Sequence, residues 1–99
     1  MATALQTGYI VPIIAGNTTL QLSGSVLLKG GEGYLAGIFV SSASSSPTFK
    51  IWDNTSAAGA ILVDTFTPIA GSWYPLPFHF TTGCYITVGG TLSATVSFA

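Results

Sequence analysis

Along much of this chain hydrophobic and polar residues alternate with a period of two. The clearest case is Thr91 to Phe98, where Leu92, Ala94, Val96 and Phe98 fall on one side and Thr91, Ser93, Thr95 and Ser97 on the other. Successive side chains of an extended strand point to opposite faces, so this pattern predicts a half-buried strand. Thr18-Thr19-Leu20-Gln21-Leu22 repeats it on a smaller scale. The stretch from Thr48 to Phe66 reads as strand, loop, strand. Phe49-Lys50-Ile51-Trp52 and Ile61 to Phe66 are aromatic and branched, and Asp53 to Gly59 between them is small and polar. Asp, Asn and Ser side chains bond nearby backbone and Gly takes positive φ, which makes that interval a loop. The other strands are expected to cover the apolar faces of this pair.

Further extended runs lie at Gly8–Ile14, Ser25–Lys29, Tyr34–Val40, Ser72–Phe80 and Cys84–Val88. Turns are expected at Ala15-Gly16-Asn17, Gly30–Gly33, Thr67–Gly71 and Thr81–Gly83, and Ser41–Pro47 reads as a surface loop. Gly89-Gly90 is a two-residue hairpin signal between the last two strands. Pro12 inside the first run points to an edge strand or to an arm lying on a neighbour, and Pro75 and Pro77 point to an edge position for Ser72–Phe80. Tyr34–Val40 is apolar on both faces: Tyr34, Ala36, Ile38 and Val40 one way, Leu35 and Phe39 the other. Its outer face is therefore expected to be covered by a loop or to meet a partner. No helix of normal length fits. About eight strands at close spacing predict an all-β fold: one antiparallel β-sandwich domain over residues 1–99, of Greek-key or jelly-roll type, with residues 1–14 as an arm or edge strand.

Composition sharpens the picture at one point. Charged residues make 5% of the chain, where about 25% is usual. They are Lys29, Glu32, Lys50, Asp53 and Asp64, for a net charge of −1, while 48% of residues are hydrophobic. A near-neutral surface favours association, so the surplus apolar surface predicts a subunit that works in an assembly. Two scattered lysines cannot neutralise a phosphate backbone, so no nucleic-acid partner is expected. Neither is a membrane partner, because no apolar run approaches the roughly 20 residues of a spanning helix. The first sixteen residues carry no basic flank and do not read as a signal peptide.

Candidate chemistry is sparse. A triad on the single histidine, His79, would have to take its acid from Glu32, Asp53 or Asp64. His79 reads instead as a strand residue on the opposite face from Phe78 and Phe80. Cys84 is the only cysteine and reads as a small buried hydrophobe. One Cys and one His cannot make a zinc site, and Asp53 and Asn54 read as turn formers rather than as calcium ligands shared with Asp64. No catalytic residue, cofactor or metal is expected. Trp52 beside Asp53 and Asn54, and the pair Trp73-Tyr74, fit a carbohydrate site on a sandwich. They fit a protein interface better, since Trp and Tyr concentrate there. The candidate interface residues are Pro12, Trp52, Trp73, Tyr74 and Phe78.

The C-terminal half also resembles a type of small β protein found in tailed bacteriophages and prophages. The resemblance rests on Lys50, Trp52, Asp53, Thr55, Ser56 and Gly59 in a K-x-[YW]-D-x-T-S-x-x-G hairpin, then on Thr67, Pro68 and Gly71 in an x-T-P-x-x-G turn. Pro77, Phe80, Gly83, Tyr85, Ile86 and Gly90 complete it before a β-branched last strand. The aromatic Ser72–Phe80 segment departs from the pattern. The resemblance implies a non-enzymatic virion structural protein, a capsid decoration or cement protein on the outer shell at threefold or quasi-threefold positions. Its partners would be the major capsid protein or another virion protein and its own copies, as a homotrimer. The hairpin Asp and Thr would then be structural. A head-spike or tail component, or a small lectin-like module, is the alternative.

Overall fold

The computed structural model describes residues 18–44 and 46–99. Pro12 and the Gly8–Ile14 run lie outside them. Eight strands follow in order: β1 (Thr18–Leu22), β2 (Val26–Gly30), β3 (Gly33–Ala43), β4 (Thr48–Trp52), β5 (Ile61–Phe66), β6 (Ser72–Phe80), β7 (Gly83–Gly89) and β8 (Leu92–Phe98). No helix occurs among the described residues.

The strands form two four-stranded sheets. Sheet I has the order β1-β8-β3-β6 and sheet II the order β2-β7-β4-β5, with every pairing antiparallel. The pairs β1–β8, β2–β7, β3–β6 and β4–β5 are nested like the rungs of one long hairpin. Folding that hairpin over itself adds β8–β3 and β7–β4 and closes a jelly roll. The β-sandwich read from the sequence is therefore the fold. Only β4 and β5 are consecutive strands of the same sheet; every other connection crosses between the sheets. The strand–loop–strand segment is thus the closed end of the roll, with β5 on an edge, rather than a centre that other strands cover.

The core lies between the sheets. Leu35, Ile38, Val40, Phe80, Ala94 and Val96 come from sheet I, and Phe49, Ile51, Cys84 and Ile86 from sheet II; all are fully buried. Leu92, Ala94 and Val96 face inward as the alternation of β8 requires, and no polar or charged residue is buried among the described residues.

Two expectations are corrected. The Gly89-Gly90 turn is not a hairpin, because β7 belongs to sheet II and β8 to sheet I. Gly90 has φ of 77°, and a Cβ there would lie 3.2 Å from the Pro47 Cα. The glycine turns a tight corner between layers, backed by a Ser44 N–H donating to the Thr91 carbonyl at 2.7 Å. The second correction concerns β3. A bulge between Leu35 and Gly37 breaks its alternation, so Leu35 joins Ile38 and Val40 inside while Tyr34 and Phe39 stand outside. Both are exposed, so no loop of the described chain covers that face.

Candidate functional site

The acidic residues are dispersed, each with its own partner. Asp53, at the end of β4, reaches across the fold to the turn between β6 and β7. The Thr81 N–H donates to both carboxylate oxygens at 3.0 and 3.2 Å, and the Thr82 N–H donates to Oδ1 at 2.9 Å. The Thr81 hydroxyl lies 3.2 Å from Oδ2 and the Gly83 N–H 3.4 Å from Oδ1. The Thr82 N–H holds the carboxyl below its ordinary value, burial opposes it, and the Thr81 and Gly83 donors add to the lowering. Asp53 is a long-range clip rather than the local turn former that its neighbours suggest. Asn54 is the local one: its side-chain amide donates to the Ala58 carbonyl at 2.7 Å and its Oδ1 accepts the Thr55 N–H.

Asp64 lies 3.8 Å from the Lys50 ammonium and accepts the Thr65 N–H. Glu32 lies 2.7 Å from His79 Nε2, and the His79 ring packs on Tyr34 with centroids 4.8 Å apart. His79 faces outward, opposite to Phe78 and Phe80, as its place in the strand requires. Among the described residues no three Asp, Glu, His or Cys side chains converge as metal ligands. Cys84 is fully buried; burial, with the nearby Asp53 charge second, pushes its thiol up to about 12. That keeps it protonated and unreactive.

The remaining surface features are two apolar sheet exteriors. On sheet II a row crosses all four strands. Leu27 is paired with Tyr85, Tyr85 with Trp52, and Trp52 with Ile61. Leu27 and Ile61 at its ends are 42% and 48% exposed. Trp52 is pinned in the middle, with its Nε1–H 3.4 Å from the Thr87 hydroxyl and the Lys50 ammonium 4.5 Å from its ring centroid. The Thr87 hydroxyl in turn donates to the Lys50 carbonyl at 3.0 Å.

On sheet I the exterior holds Tyr34 and Phe39 from β3 and Trp73 from β6. Phe39 and Trp73 are cross-strand partners. Trp73 is 52% exposed and its indole is folded down over Gly37, where a Cβ would lie 2.4 Å from the ring. Only glycine leaves room for that ring.

The candidate residues named from sequence are therefore dispersed. Trp52 and Trp73 stand on opposite exteriors. Tyr74 points inward against the core, its ring 5.4 Å from Phe66 and its hydroxyl accepting the Ile69 N–H at 2.8 Å. The adjacent pair Trp73-Tyr74 thus splits between the two faces. Phe78 shares the inward register of β6 yet stays exposed at the sheet edge. Leu27, Tyr85 and Ile61 complete the sheet II row and were not among the sequence candidates, since only strand pairing brings them together. Gly37 inside an apolar run was a usable signal, because such a glycine marks a close approach.

Comparisons with protein-family models, curated proteins and solved structures return no match.

Proposed function

We propose that this chain is a non-enzymatic virion structural subunit, a capsid decoration or cement protein that seats the exterior of sheet II on a shell protein. The observation that carries this reading is the uninterrupted apolar row Leu27–Tyr85–Trp52–Ile61. A row that spans a whole sheet, with a pinned tryptophan at its centre, is the anatomy of a protein contact: an aromatic anchor, apolar neighbours and a polar margin. The margin here is Thr87, Lys50 and Asp64.

Cement needs rigidity rather than chemistry, and the Asp53 clip supplies rigidity at the end of the sandwich nearest Trp52. The five charges also leave the molecule little electrostatic repulsion between copies. Around an axis of symmetry each contact is repeated, so small patches sum to firm retention. A homotrimer at threefold or quasi-threefold positions is the assembly this reading expects. A lectin site at Trp52 is the weaker reading, because Asp53 and Asn54 beside it already use their polar atoms inside the protein.

The test is co-sedimentation of the purified protein with shells of the virus that encodes it, stripped of this subunit. Saturable binding at a fixed ratio to the shell protein supports the reading. Protein that stays in the supernatant at all concentrations overturns it.

A further inference from the structure

The exterior of sheet I is a different kind of surface. Its four strands contain no Asp, Glu, Lys or Arg; the five charged residues all lie in sheet II strands or in loops. The face is divided lengthwise. Tyr34, Phe39, Trp73 and His79, the last with Glu32 at 2.7 Å, occupy the β3–β6 half, while exposed Thr19, Gln21 and Thr95 occupy the β1–β8 half. The two halves meet at one level, where cross-strand pairing sets Gln21, Thr95, Phe39 and Trp73 side by side.

The posture of Trp73 decides what such a face can hold. An anchor for a protein pocket stands out from its surface. Trp73 instead folds over Gly37, whose missing side chain makes room for the indole, and remains 52% exposed. A flat aromatic ring beside hydroxyl and amide groups matches a pyranose, whose C–H face stacks on the ring and whose hydroxyls take hydrogen bonds at the side. Tyr34 and Phe39 are five steps apart along β3, roughly 16 Å at the usual rise of a strand. That length suits several sugar units in line. No strand residue beside Phe39 and Trp73 is charged, and the one carboxylate that reaches this face, Glu32 at 2.7 Å from His79, stands at its Tyr34 end and would repel an acidic chain, so the face suits a neutral one.

We infer that the exterior of sheet I, with Trp73 and Phe39 at its centre and Gln21 and Thr95 beside them, binds a neutral polysaccharide. The site is separate from the sheet II row and does not depend on the virion reading. On a shell-bound subunit it would lie on the opposite side of the sandwich from the shell, open to a surface glycan.

The experiment is a native affinity gel cast with neutral polysaccharides (a soluble β-glucan, a mannan and a galactan), with polygalacturonate as the acidic control, alongside a glycan array. The expected result is retardation by at least one neutral polymer, unchanged between about 0.05 and 0.5 M salt because no charge takes part. Trp73→Ala and Phe39→Ala should each weaken it at least tenfold, Trp73→Phe should retain part of it, and Trp52→Ala should leave it intact. Circular dichroism of each variant confirms that the sandwich is folded. No binding on the gels or the array overturns the inference. So does binding only to the acidic polymer, binding that collapses with salt, or binding indifferent to Trp73. A Trp73→Ala variant that loses oligomeric mass but no sugar affinity also overturns it, and assigns the face to a second copy.

Discussion

Removing the Asp53 carboxylate should loosen the corner where the β4–β5 loop meets the β6–β7 turn. Its oxygens accept the Thr81 and Thr82 N–H groups, and hydrogen bonds to a charged acceptor are worth more than neutral ones. Asp53→Ala is expected to cost about 0.5–1.5 kcal/mol in urea unfolding, the net range of a hydrogen bond, because the exposed Thr81 and Thr82 donors are free to turn to water. The same carboxylate sets a pH dependence. Its folded value lies below its unfolded one, so the stabilisation is present above the unfolded value and is lost as pH falls through the folded one. Asp53→Asn should flatten the acid limb of a stability–pH profile and leave the neutral region sloped as in the parent. Cys84 gives a second check at this scale. Its thiol is buried and held up to about 12, so a thiol reagent at neutral pH should label it only as fast as the protein unfolds. Rapid labelling of the native protein would contradict its place in the core.

At the level of elements, the strands with clean alternation or firm punctuation were legible in the sequence. Ile61–Phe66 and Ser72–Phe80 occur with the bounds their composition suggests, and β8 buries the face that its alternation names. Tyr34–Val40 was misread because a bulge adds a residue that no local pattern announces; its cause lies in the pairing with β6 and β8. Gly89-Gly90 was misread for a different reason. A hairpin turn and a corner between layers both ask for positive φ, and the dipeptide does not distinguish them. Gly90→Val should therefore destabilise by more than about 1 kcal/mol in chemical unfolding, because it adds a side chain against Pro47 as well as an unfavourable φ. The candidate site was legible only in part. Trp52 and Trp73 stood out as aromatic residues in polar or proline-rich company. Their assignment to opposite faces depends on pairings between residues thirty or more positions apart, as with Trp52 and Tyr85.

For the whole molecule, the low charge and the surplus of apolar residues now have locations. The core takes the inward faces of both sheets, and the surplus divides between two exteriors of different character. Sheet II carries a full-width apolar row with charges beside it; sheet I carries aromatic rings beside hydroxyl and amide groups, with the Glu32–His79 pair at its Tyr34 end. The first is the proposed seat of a shell protein and the second the proposed site of a neutral glycan. The measurement that tests its central claim most directly is the affinity of two single variants for stripped shells, compared side by side by co-sedimentation. Trp52→Ala removes the centre of the sheet II row and is expected to weaken shell binding at least tenfold, while Trp73→Ala on the opposite face leaves it unchanged. Shell binding that survives Trp52→Ala at parental strength would contradict the account.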